Sequence, residues 1–268
     1  MKGKMGGYVF FFAGLAAVGA ISLASLTVDA SIMTTKHNLS VSGPGPVKAT
    51  TETQVCVFCH TPHGATGAPL WNHTLSTAPY YTVPSKDLAA WSTLLSTPQN
   101  PPDGDSRLCL SCHDGTVAVG SVVNLGGSPT TITMQGTEGG MIPSGSGTGP
   151  YTSNIEPGRP SMGSIVGTDL SGHHPVSVEV TQALLDDKGL QCANGDVSMR
   201  VCTPIAPIKL KPTDNRYVAG PHTGLGVQCA SCHDPHENGL GKFLRAGVPG
   251  NATDLCVKCH RLCTEDCP

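Results

Sequence analysis

The pattern Cys-x-x-Cys-His occurs four times in this chain, as Cys56-Val-Phe-Cys59-His60, Cys109-Leu-Ser-Cys112-His113, Cys229-Ala-Ser-Cys232-His233 and Cys256-Val-Lys-Cys259-His260. One copy would be a weak signal, but four at this composition are not accidental. The spacing puts two thiols and an imidazole on one short piece of chain, which is the attachment signature of c-type haem. Cys56, Cys59, Cys109, Cys112, Cys229, Cys232, Cys256 and Cys259 are then the attachment thiols, and His60, His113, His233 and His260 the proximal iron ligands. Paired Cys-x-x-Cys knuckles also build four-cysteine zinc sites. Zinc gives no reason for a histidine directly after every second cysteine.

Four covalent macrocycles also resolve a problem of composition. Aromatic residues make up 4% of the 268 residues, while glycine and proline number 33 and 22. A chain so poor in large apolar side chains and so rich in turn formers needs another source of core, and the haems supply it. The expected fold is mostly irregular coil with few short helices and minimal strand, wrapped around a closely packed haem stack. Each motif belongs on a turn or short helix, since both thiols and the histidine must face one porphyrin. SKDLAAWSTLLSTP (85–98) reads as a helix with Ser85 as N-cap and Pro98 as stop, and PVSVEV (175–180) as a short strand. The formal charge of −3 does not favour nucleic acid as a partner.

The chain repeats itself. His37, the first motif with a following x-Pro-His63, and the second motif make up one half. His174, the third motif with x-Pro-His236, and the fourth motif make up the other. Between them lies GGSPTTITMQGTEGGMIPSGSGTGP, a loop by composition. The expected organisation is one domain over 31–268, with a pseudo-repeat of 31–120 and 171–268 around an insertion at about 121–170.

His63 lies three residues after His60, a span of at most about 10 Å. That tether is too short to carry His63 around the macrocycle to the other face of the same haem, and Pro62 restricts the path further. His63 is therefore expected to ligate a neighbouring haem, and His236 likewise. Seven histidines are available for four distal positions; the repeat selects His37, His63, His174 and His236. His174 is preferred over His173 because Pro175 fixes the chain behind it. His73 and His222 are left to the surface or to propionate hydrogen bonds. Enough histidine is present for four low-potential bis-histidine haems without methionine ligation.

The first thirty residues carry Lys2 and Lys4, an apolar run to about Leu26 and a loose small-x-small exit at Val28-Asp29-Ala30. They read as a cleaved secretory signal peptide, with the mature chain beginning at Ser31; an uncleaved anchor is the rival, because the run approaches spanning length. Export leads to an oxidising compartment. Cys192, Cys202, Cys263 and Cys267 lie outside the motifs and allow three pairings. The local pairs Cys192–Cys202 and Cys263–Cys267 are expected first.

KHNLS at 36–40, CVFCHTPHG, APLWN at 68–72, RLCLSCHDGTVAVG at 107–120, HPVS at 174–177 and VQCASCHDPH at 227–236 together resemble the doubled-CxxCH multihaem cytochromes. Within that group the chain is similar to the tetrahaem extracellular cytochromes of the OmcE type, which polymerise into filaments. The resemblance implies a coil-rich protein around stacked bis-histidine haems. It also implies a head-to-tail homopolymer in which one distal histidine comes from the neighbouring subunit, with His37 at the matching position. The ending RLCTEDCP and the segment holding Cys192 and Cys202 depart from the family pattern.

The expected function is electron transport through four haem c groups, in an extracellular filament that passes electrons to other redox proteins or extracellular acceptors. A soluble periplasmic shuttle would share every haem ligand. A multihaem oxyanion reductase would need a five-coordinate haem, and the excess of histidine argues against one. A cell-surface protein with an incidental structural haem does not account for four motifs.

Overall fold

The computed structural model describes residues 32–65, 70–82, 98–143, 165–187, 199–213, 224–247 and 253–262. The signal-peptide reading of 1–30, the helix expected at 85–98, His222, Cys192, Cys263 and Cys267 lie outside the described residues.

The chain is mostly coil with few short helices and small strands, as its composition requires. In order along the chain, the strands are β1 (Lys48–Ala49), β2 (Ser121–Leu125), β3 (Ser128–Thr131), β4 (Met134–Gln135), β5 (Val178–Glu179), β6 (Met199–Val201), β7 (Lys211–Pro212), β8 (Leu225–Val227) and β9 (His260–Leu262). The α-helices among the described residues are α1 (Gly104–His113), α2 (Gln182–Asp186), α3 (Cys229–Cys232) and α4 (Thr253–Cys256). Short 3-10 turns cover Ile32–Thr34 and Cys56–Phe58. PVSVEV contributes a strand only at β5, which pairs antiparallel with β8, and β8 pairs in turn with β7.

Part of the stretch expected as loop is ordered. β2 and β3 form an antiparallel hairpin with Leu125 opposite Ser128. Gly126 and Gly127 make its two-residue turn at φ of 65° and 98°. A two-residue hairpin loop needs positive φ at its central positions, which glycine adopts without strain. β4 continues from the hairpin and pairs with β1.

Two small apolar clusters result. Ala49, Val57, Phe58, Val122 and Ile132 gather between the hairpin and the first motif. Tyr80, Leu110 and Leu170 form the second, on α1. Buried polar side chains are as numerous as buried apolar ones among the described residues. Buried polar groups must be hydrogen-bonded, and one network does this at the junction of the two halves. Gln228 Oε1 accepts from the Ser106 amide at 3.1 Å, and its Nε2 donates to Asp103 Oδ1 at 2.8 Å. Ser106 Oγ accepts from the Cys229 amide at 3.0 Å. The network ties α1, which carries the second motif, to α3, which carries the third.

Candidate haem sites

All four motifs sit on a turn or a helix, as two thiols and an imidazole on one face require. The first occupies the 3-10 turn at Cys56–Phe58, where the amides of Cys59 and His60 both donate to the Cys56 carbonyl. The second lies in the last part of α1, and the third is α3 with His233 just beyond it. The fourth begins at the end of α4 and runs into β9. None of the eight motif cysteines is in a disulfide. Cys202 is disulfide-bonded.

The thiols of successive motifs approach one another. Burial, and after it the nearby Cys59 thiol, pushes the Cys112 thiol up. Cys109 is raised first by its hydrogen bond with Cys229, whose own pKa is lowered by the same bond. Burial and then Cys259 push Cys232 up to about 11. First, second, third and fourth motifs are thus neighbours in that order. Among the described residues no group of three or more His, Cys, Asp or Glu side chains is set to hold a single metal ion.

The histidines form pairs. His37 and His113 have ring centroids 6.0 Å apart, His60 and His236 6.1 Å, and His174 and His260 6.2 Å. A metal–imidazole bond is about 2 Å and the ring centre lies about 1 Å beyond the nitrogen, so two rings trans across one iron stand about 6 Å apart. All three pairs have this spacing, and each joins one motif histidine to one histidine outside the motifs. The chemistry of the donor set and its spacing therefore fit haem iron.

Hydrogen bonds fix which nitrogen faces inward. His37 Nδ1 lies 3.0 Å from the Pro235 carbonyl, His174 Nδ1 3.0 Å from the Pro175 carbonyl and His233 Nδ1 2.9 Å from the Lys242 carbonyl. A carbonyl only accepts, so Nδ1 carries the proton and Nε2 presents its lone pair. That second-sphere bond is the usual orienting device for a metal-bound imidazole. Burial lowers the pKa of His37, and burial and then His174 lower that of His260, so both rings are favoured in the neutral, ligating form.

The expected residues divide as follows. His174, not its neighbour His173, stands against His260. His236 faces His60 of the first motif, so one eight-residue segment, 229–236, serves two motifs. His37, the residue matched by resemblance to an intersubunit ligand, faces His113 of its own chain. His63 and His233 are both exposed. His73 is not on the surface: it is fully buried, with Nδ1 3.0 Å from the Thr74 carbonyl and Nε2 3.1 Å from the Ala118 carbonyl. Both its nitrogens face backbone oxygen, which leaves neither for iron.

Arg107, two residues before the second motif, escaped the sequence reading. It is 6% exposed, one guanidinium N–H donates to the Ser76 carbonyl, and Nε and Nη1 have no hydrogen-bond partner among the described residues. Its place immediately before an attachment motif was the available signal.

Residues 222–262 match the protein family described as doubled CXXCH motif. No curated protein matches the chain. The matched segment holds the third and fourth motifs, and the match supports a multihaem c-type cytochrome with covalently bound haem c and a role in electron transfer.

Proposed function

We propose that the chain carries four haem c groups, each ligated by two histidines, and passes electrons along them in an extracellular filament. The three histidine pairs at about 6 Å support this reading most directly. Bound haem supplies the redox couple. His60 with His236, His113 with His37 and His260 with His174 would hold three irons from both faces, and His233 the fourth from one. Held by an imidazole from each side, these three haems would offer no site for a substrate and would act as carriers. The order of the motif thiols supports haems close enough to exchange electrons. The paired N–H groups of Arg107 suit a haem carboxylate beside α1.

Export follows from the signal-like first thirty residues and suits the disulfide at Cys202. The distal ligand of the fourth iron is His63 of the next subunit in this proposal, since His37 is engaged within its own chain.

Mass spectrometry of the secreted protein should count four covalent haems, and electron cryo-imaging should show filaments with continuous haem density. Four haems in globular monomers would make the chain a periplasmic shuttle instead. A high-spin fraction that binds carbon monoxide in the assembled protein would point to a reductase.

A further inference from the structure

The segment after the third motif, Asn238–Arg245, reaches two histidines that face different motifs. The Phe243 ring stacks on His37, with centroids 4.1 Å apart and planes 17° apart. The adjacent Lys242 carbonyl takes the Nδ1 proton of His233 at 2.9 Å. Both residues have positive φ, 51° and 57°, although neither is glycine. Such backbone is strained for a residue with a side chain and persists only where surroundings over-determine it. Here they do. Asn238 Oδ1 accepts from the Phe243 amide at 2.8 Å, and the Phe243 carbonyl accepts from the Asp234 amide at 2.7 Å. Arg245 binds the Asp234 carboxylate at 2.9 Å and the carbonyls of Ala230 and His233 at 2.9 and 3.1 Å.

We infer that Phe243 is a positioning residue for an axial ligand: it fixes the plane of the His37 imidazole, and the strained Lys242–Phe243 turn locks that ligand and His233 to one rigid loop. This rests on the haem-ligand reading of His37 and His113. The ring of Phe243 lies flat on His37 and stops it rotating about its bond toward iron, while the Pro235 carbonyl holds the ring edge. The result is an angle of 68° between His37 and His113, against 18° between His60 and His236. The angle between two trans imidazole planes sets the d-orbital splitting of low-spin ferric haem. Near-parallel planes give a rhombic electron paramagnetic resonance signal, and near-perpendicular planes give one with a single large g value. The chain therefore tunes its haems to different electronic states through ligand orientation, with Phe243 responsible at the second motif.

The test uses the full haem-loaded protein. Ferric wild type should show a rhombic signal together with large-g signals. Phe243→Ala should move one large-g signal toward the rhombic position and shift one reduction potential, with haem content and the rhombic signal retained. Phe243→Gly should do the same while relieving the backbone strain, and Phe243→Tyr should restore the wild-type spectrum. Spectra and potentials of Phe243→Ala and Phe243→Gly that superimpose on wild type would overturn the inference and leave Phe243 a packing residue. Absence of low-spin bis-histidine signals from wild type would instead overturn the ligand reading itself.

Discussion

Tyr80 illustrates how a single buried polar side chain braces an attachment helix. Its hydroxyl donates to Asp114 Oδ2 at 2.5 Å, directly after the second motif, and the residue is 4% exposed. Asp114 also accepts from the amide and hydroxyl of Thr116. Tyr80→Phe removes the donor and should lower the stability of the haem-loaded protein by about 1–2 kcal/mol, read by denaturant titration. Burial, then the Asp114 hydrogen bond, pushes the Tyr80 phenol up from 10.0 to about 12. The folded protein thus holds this proton more tightly than the unfolded chain does. Tyr80's contribution is complete below pH 10 and fades as pH rises toward 12. Wild type should lose stability over that interval relative to Tyr80→Phe; parallel curves would refute the assignment.

His236 makes the sharpest ligand prediction at this scale. His236→Ala should leave the haem on Cys56 and Cys59 with one axial imidazole. Its low-spin spectrum should give way to a high-spin one that binds carbon monoxide, although the substitution lies in the third motif's own segment. A change confined to the haem on Cys229 and Cys232 would contradict the pairing of His60 with His236. Peptide-resolved resonance Raman or nuclear magnetic resonance of the holoprotein distinguishes the two.

The elements are small, and what joins them matters more than their own propensity. Gln228 is 1% exposed and links α1 to α3 through Asp103 and Ser106. Gln228→Leu would strand buried partners on both helices and should cost about 2–4 kcal/mol, seen as a lower thermal midpoint of the holoprotein. Gly104, at the start of α1, has φ of 49°, and a Cβ there would stand 2.5 Å from the Pro212 carbonyl. Gly104→Ala should therefore be comparably damaging.

This scale also separates what was legible in the sequence from what was not. The motifs announced their turns and helices, because thiol spacing dictates local backbone. The hairpin was readable from Gly126-Gly127 between VVNL and SPTTIT, yet the glycine-rich composition of the whole stretch masked it. The burial of His73 and the stacking of Phe243 on His37 could not be read, since each depends on a group that the fold brings from far along the chain, the Ala118 carbonyl and the His37 ring. His37 is held by Pro235, 198 residues away.

At the scale of the whole molecule, the histidine pairs obey a rule that bears on assembly. In each half the lone histidine faces the second motif of its own half: His37 faces His113, and His174 faces His260. The histidine after the third motif crosses over, since His236 faces His60 of the other half. Were His63 to make the reciprocal crossing to His233, the two halves would close on each other within one chain. Among the described residues neither His63 nor His233 has a histidine ring set opposite it; in the proposal above, the reciprocal crossing is made to the next chain. A relation between unlike surfaces that does not close adds copies without limit, which is how open helical filaments arise. Half two of one chain would then receive His63 from half one of the next. His63→Ala should yield monomers with one high-spin, carbon monoxide-binding haem and the others low-spin. His37→Ala should alter a different haem, on Cys109 and Cys112, and still permit assembly. Filaments of normal length and fully low-spin spectrum from His63→Ala would refute the intersubunit role. A wild-type monomer that is already fully low-spin would mean that His63 completes the fourth iron within its own chain.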